Sequence, residues 1–385
     1  MSRKPDPRTA DELPTSAFDY SLPHELIAHY PAAQRDQSRL LVVRRDDTGF
    51  DHRIFRDIVE YFSPGDVLVL NDTRVIPARL LGRRPGGGEA EIVLLHPASV
   101  HQDQAQLYGQ KPTEPDPTTP PPPPPPSPSP DVKDWVALVR PGSKLRPGRT
   151  VEISAELTVE IVDVLDDGSR MVRLHTGLEI RNAIERYGRI PLPPYIERDV
   201  EPSDRERYQT VYARAEGSVA APTAGLHVTP ALLEGLRARG VELARALLHV
   251  GVGTFRPVEV EDPAAHVMHA EWYQVTAEEA ERMNEARRAG GRLWAVGTTV
   301  TRTLETVVDS EGRIHAGTGW TRLFIRPGYA FRAVDRLITN FHLPRSTLLM
   351  LVCAFGGYDR IMAAYREAIA RRYRFYSYGD AMVVL

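Results

Sequence analysis

The chain has 385 residues, 42% of them hydrophobic and 26% charged. That balance belongs to a soluble globular protein with enough length for two cores. Its 48 basic and 51 acidic side chains leave a formal charge of −3, which excludes a global pull toward nucleic acid. No apolar run reaches the ~18 residues that a membrane span needs. Met1–Thr15 is too polar for a secretory signal. The single cysteine, Cys353, excludes an internal disulfide and fits a reducing cytoplasm, the expected location. It lies in the apolar run Leu348–Phe355, where a buried structural thiol is the plain reading.

Residues 1–16 read as disordered. From Phe18 to about Pro77 the pattern is mixed α/β, and Asp66–Asn71 after Pro64-Gly65 has the composition of a buried strand. From about Ala78 to Tyr187 short alternating runs take over: 91–95, 135–139, 150–153, 157–164 and 171–174. Gly/Pro and Asp-Gly turns separate them, so 78–187 is expected to be an all-β module, a small barrel that leaves no open strand edge. Within it lies the tract 112–130, with seven consecutive prolines at 120–126. Such a tract favours polyproline II and reads as a lengthened loop.

From Gly188 the β-then-α alternation returns. Thr229-Pro230 starts a helix that ends before Gly240, and 241–250 is a strand candidate. Thr276 with Glu279 forms a capping box. Strands are expected at 293–296, 322–325, 336–339 and 381–385, and helices from Thr301, over 346–355 and over 358–372. The fold class expected is α/β: a discontinuous barrel-like α/β domain formed by 1–77 and 188–385, with the small all-β barrel 78–187 inserted in it.

Sites in such folds lie at the carboxyl ends of parallel strands. Asn71–Arg74, Gly251–Thr254, Gly297–Thr299 and Asn340–His342 all fall there. Gly297-Thr298-Thr299 at a helix start suits an anion. Ala220–His227 and His249–Phe255 combine glycines, threonines and histidines in the manner of ligand-binding loops. No GxGxxG and no Walker lysine occurs. His249, His266 and His269 could hold a metal, giving a metal-dependent hydrolase as one alternative. Acid/base or hydrogen-bonding roles suit these histidines better, so no metal is expected. Basic clusters at Arg79, Arg83 and Arg84, at Arg140, Lys144, Arg146 and Arg149, and at Arg371, Arg372 and Arg374 leave a non-catalytic RNA-binding protein as a second alternative. The aromatic and arginine mixture of 373–380 suits base stacking and phosphate contact.

The segments Phe18–Pro23, Ser38–Leu41, Asn71–Leu80, Pro191–Ile196, Glu206–Tyr212 and Ala220–His227 resemble one known family from end to end. So do His249–Phe255, His266–Glu271, Ala295–Glu305, Phe324–Tyr329, Leu337–Leu351 and Tyr373–Met382. The family is the S-adenosylmethionine:tRNA ribosyltransferase-isomerases of queuosine biosynthesis. The polyproline tract is the main departure from it. The resemblance implies transfer and isomerisation of the ribosyl moiety of S-adenosylmethionine onto 7-aminomethyl-7-deazaguanine at the tRNA wobble position. Epoxyqueuosine-tRNA, adenine and methionine are the implied products. S-adenosylmethionine is then a co-substrate, no prosthetic group is needed, and a tRNA anticodon stem-loop is the partner of a monomeric enzyme.

It further implies where roles should fall. His227, His249, His266, His269 and His342 are acid/base or orienting candidates. Thr223, Gly225, Gly251, Gly253 and Thr254, with Gly297, Thr298 and Thr299, are candidates for contacting S-adenosylmethionine. Arg74, Arg326 and Tyr378 are candidates for substrate or tRNA contact.

Overall fold

The computed structural model describes residues 13–47, 49–98, 132–251 and 257–385. The polyproline tract, Gly253 and Thr254 lie outside them. Seven strands form one open sheet in the order Glu242–Arg245, Val67–Leu70, Leu293–Val296, Arg336–Asn340, Ala381–Val384, Arg39–Val43 and Phe50–Ile54. The first four are parallel, and Arg39–Val43 runs parallel to Ala381–Val384. Antiparallel pairings join Arg336–Asn340 to Ala381–Val384 and Arg39–Val43 to Phe50–Ile54. The central strands read as unbroken apolar runs because both of their faces are covered. Leu41, Val43, Val67, Val69, Ala295, Leu337, Met382 and Val384 face one core. Their alternates Leu40, Val42, Leu68, Leu70, Trp294, Val296, Ile338 and Val383 face the other.

Caps fix the helices where the sequence signals them. The Thr229, Thr276 and Ser346 hydroxyls accept from the N–H groups of Leu232, Glu279 and Leu349 at 3.1, 3.3 and 3.2 Å, and these caps start the helices Pro230–Ala238, Ala277–Arg288 and Thr347–Gly356. Cys353 is buried, and burial pushes its thiol up. No single helix among the described residues is long and apolar enough to cross a membrane.

Six strands, 79–83, 89–97, 134–140, 150–154, 157–164 and 170–176, close into an antiparallel barrel. Its inward residues include Leu80, Ile92, Leu94, Trp135, Ala137, Val159 and Leu174, and Ile180, Ala183 and Ile184 of the helix Ile180–Tyr187 join that core. The two connections to the barrel are clamped together. Arg79 and Arg189 exchange backbone hydrogen bonds of 3.0 and 2.8 Å. A Cβ on Gly188 would stand 1.8 Å from the Pro77 carbonyl oxygen, so only glycine lets the chains cross there.

The structure departs from the expected elements in four places. The strand expected over 241–250 breaks at Ala246, whose N–H reaches Leu70 C=O at 3.0 Å. Beyond it Leu247–Leu248 joins a second sheet with Glu271–Val275 and Gly317–Thr321. The strand expected at 322–325 is instead Gly317–Thr321, because Leu323 C=O accepts from the Arg302 guanidinium at 3.0 Å and is lost to any ladder. The helix expected from Thr301 begins at Thr298. Thr15, placed in the disordered arm by sequence, is anchored by bonds of 2.8 and 2.7 Å to the carbonyls of Glu261 and Val260.

Candidate active site

The strands Leu293–Val296 and Arg336–Asn340 end side by side. Above their carboxyl ends lies a cleft of about 520 Å3. Its walls include Ala221–Ala224, Val250, Gly297–Thr299, Asn340–His342, Tyr195 and Ser377. Gly297 takes φ +93° to turn the chain from strand into the helix Thr298–Val307. The first bond of that turn is Thr301 N–H to Gly297 C=O at 3.2 Å, so the N–H groups of Thr298 and Thr299 precede the helical ladder. The hydroxyls of Thr301, Thr303 and Thr306 are satisfied by carbonyls one turn back, at 3.2, 3.0 and 2.7 Å. The buried Thr299 hydroxyl has no such partner among the described residues.

His342 closes the cleft. Its Nε2 lies 2.7 Å from Thr339 Oγ1, and that hydroxyl donates to Asn340 C=O at 3.3 Å. With the hydroxyl proton on that carbonyl, the imidazole proton is assigned to Nε2. The Nδ1 lone pair has no partner among the described residues. Burial pushes the pKa down to about 3, so the ring is neutral at physiological pH. Its backbone is held on both sides, its N–H donating to Tyr365 Oη at 2.8 Å and its carbonyl accepting from Tyr20 Oη.

His227 sits behind this wall. Asn340 Nδ2 donates to its Nε2 at 3.0 Å, so Nδ1–H donates to Ser38 Oγ at 2.7 Å. Both ring nitrogens are used, and burial lowers the pKa to about 4. The ring holds the Asn340 amide in one orientation. Asn340 Oδ1 is left buried without a partner among the described residues.

A second cavity, of about 570 Å3, adjoins the first. His249 stacks on Trp272 at 5.2 Å and 18° and lies 2.8 Å through Nδ1 from Thr73 Oγ1. Burial lowers its pKa to about 4. Gly217, at φ +146°, makes room for the ring: a Cβ there would meet it at 2.8 Å. Gly251 and Glu271 also line this cavity. Glu271 accepts from Gly251 N–H at 3.1 Å and pairs with the buried Arg302.

The family model described as "Queuosine biosynthesis protein" matches residues 15–384. The chain belongs to that family. An S-adenosylmethionine:tRNA ribosyltransferase-isomerase of Symbiobacterium thermophilum is 52% identical over 372 residues, 96% of this chain and 99% of that protein. Its counterpart from Heliobacterium modesticaldum is 48% identical over 376 residues, 97% and 100% of the two chains. A crystal structure of S-adenosylmethionine tRNA ribosyltransferase from Thermotoga maritima superposes with a TM-score of 0.51 at 37% identity, covering 96% of this chain and 100% of that one.

In this member of the queuosine family, the residues named from sequence divide into two groups. Thr223, Gly297, Thr298, Thr299 and His342 line the cleft, and His249 and Gly251 line the second cavity. Gly225 is buried under Tyr212, whose hydroxyl a Cβ would meet at 2.1 Å. Tyr378 is buried and donates to Asp204 Oδ1 at 2.9 Å. Arg74 is exposed and 3.9 Å from Glu216, while Arg326 is half-buried outside the cavities described. His269 is exposed and His266 half-buried against Phe324, and burial lowers the His266 pKa. Among the described residues no three His, Cys, Asp or Glu side chains gather to hold a metal ion. Sequence reasoning placed Asn340 at the site but missed Trp272, Trp320 and Glu216 as wall residues. Only Trp272 and Trp320 carry a signal, since each is the large side chain of a short alternating strand.

Proposed function

We propose that the protein transfers and isomerises the ribosyl moiety of S-adenosylmethionine onto 7-aminomethyl-7-deazaguanine at the tRNA wobble position. Epoxyqueuosine-tRNA, adenine and methionine are the products. The observation that carries this is the match to the ribosyltransferase-isomerases over almost the whole chain, at 52% identity. The cleft suits the donor. The methionine carboxylate fits the N–H groups of Thr298 and Thr299 at a helix N-terminus. The unpartnered Thr299 hydroxyl adds a further donor. Asn340 Oδ1 offers an acceptor that His227 holds in place, so His227 is a positioning residue. The sulfonium acidifies the C5′ hydrogens of the ribosyl group, and the neutral His342 Nδ1 is the acceptor we assign to that proton. Incubating the protein with S-adenosylmethionine and a stem-loop carrying the modified base should release adenine and add a ribosyl-sized mass to the RNA. No release from folded protein and correctly modified RNA would sink the reading.

The protein works as a cytoplasmic monomer in this reading, which light scattering of the purified chain tests. Residues 78–187 act as an inserted unit that grips the tRNA. Arg140, Lys144, Arg146 and Arg149 on this module are exposed, and none forms an ion pair among the described residues. Arg371, Arg372 and Arg374 are instead paired to Glu367, Glu25 and Asp380. Neutralising the four barrel cations should weaken tRNA binding and flatten its dependence on log salt by up to about four units of slope. An unchanged slope would place the tRNA elsewhere.

A further inference from the structure

We propose that the tryptophan-walled cavity beside the cleft receives the purine-like base of the RNA while S-adenosylmethionine occupies the cleft. The proposal rests on the ribosyl-transfer reading and deepens it. The cavity offers flat faces first. Trp272 and Trp320 stand opposite each other on neighbouring antiparallel strands, and His249 lies stacked on Trp272. Such surfaces hold a splayed-out base by stacking.

The polar groups are of the two kinds a guanine-type edge requires. That edge carries N–H donors beside a carbonyl acceptor. Glu216 uses only Oε1 in its pairs with Arg181 and Arg74, at 2.6 and 3.9 Å, so its other oxygen is available to N–H donors. His249 spends Nδ1 on Thr73, so Nε2 remains to meet the edge, as acceptor or donor according to the tautomer. The indole N–H groups of Trp272 and Trp320 are buried without an acceptor among the described residues. Two buried donors left unmet are costly, a cost that a bound carbonyl would relieve. Arg74 and Arg181 flank Glu216 with side chains 48% and 53% exposed, placed for neighbouring phosphates.

The two cavities share a wall. Gly217 lines one and Ala221 the other, only four residues along a segment that can span at most ~14 Å. Beside it run His249 to Gly251, tied on by bonds of 3.1 and 3.3 Å from Val219 and Ala220 N–H to Val250 C=O. A base in one cavity and a ribosyl donor in the other are therefore neighbours, as group transfer between them demands.

Three of the four tryptophans, Trp135, Trp272 and Trp320, line this cavity; the fourth, Trp294, stacks on Phe62 at 3.9 Å in the sheet core. Free 7-aminomethyl-7-deazaguanine should thus quench the intrinsic fluorescence of the wild-type protein without any turnover. In Glu216→Gln and Trp320→Ala the quench should weaken, the KM for the modified stem-loop should rise at least tenfold, and the calorimetric Kd for S-adenosylmethionine should stay within twofold. Near-UV circular dichroism checks that both variants are folded. An unchanged quench and KM in both variants would overturn the assignment. A loss of S-adenosylmethionine affinity with the RNA KM intact would give the cavity to the other substrate and overturn it equally. Failure of the wild type to release adenine would instead count against the ribosyl-transfer reading, and the quench would still report on the cavity.

Discussion

Replacing His342 with glutamine is expected to lower kcat by about two to four orders of magnitude, the usual worth of a positioned acid/base group. The Kd for S-adenosylmethionine should change far less. The substitution removes a ring that lines the cleft and little else. The backbone bonds to Tyr365 and Tyr20 do not involve the side chain. Glutamine can still donate to Thr339 Oγ1, so Thr339 keeps a partner. Single-turnover adenine release gives the rate, and calorimetry gives the binding. A kcat within tenfold of wild type would remove His342 from the chemistry. The remaining cavity imidazole with a spare nitrogen, His249, would then take its place.

Lowering the pH from 7 to 5 is expected to destabilise the fold by about 6 kcal/mol in sum. His227, His249 and His342 have folded pKa values near 4, 4 and 3, against 6.5 when unfolded, and burial is the leading cause in each. Below pH 6.5 the unfolded chain therefore binds protons that the folded chain refuses. The stability is fully present above 6.5 and is lost as pH falls toward 4. At 1.36 kcal/mol per unit, each ring contributes about 2 kcal/mol to the loss between pH 7 and 5. Total stabilities are about 5–15 kcal/mol, so this loss is large. Urea unfolding at the two pH values measures it. Equal stabilities would show that the rings are not held neutral. His342→Gln should recover about a third of the difference. Activity on the acid side should accordingly follow unfolding rather than titration of a catalytic base.

Much of this architecture is legible in the sequence because local signals and tertiary packing agree. The barrel strands alternate cleanly, and Thr229 and Thr276 cap as expected. Failures arise where a distant group intervenes. Arg302 takes the Leu323 carbonyl and ends a strand early. Ala246 marks a change of sheet that composition does not reveal. The glycines show the same limit at the site. Gly217 and Gly297 turn with positive φ and line cavities, whereas Gly225 and Gly188 merely avoid collisions with Tyr212 and Pro77. All four look alike in sequence. Histidines likewise divide by partners that only the fold supplies. His227 is doubly bonded, while His249 and His342 line cavities and each has one ring nitrogen without a partner among the described residues.

The strand Ala381–Val384 lies between Arg336–Asn340 and Arg39–Val43. It follows every other strand of the sheet in sequence, yet it joins the earliest pair to the rest. A nascent chain still on the ribosome can close its barrel from contiguous strands, but its two outermost early strands have nowhere to dock until synthesis reaches residue 384. Such long-range closure is slow compared with local pairing. The sheet should thus assemble only once residues 381–384 have been made, and a chain halted short of Ala381 should present Leu40–Val43 as an unpaired apolar edge, a target for chaperones and proteases.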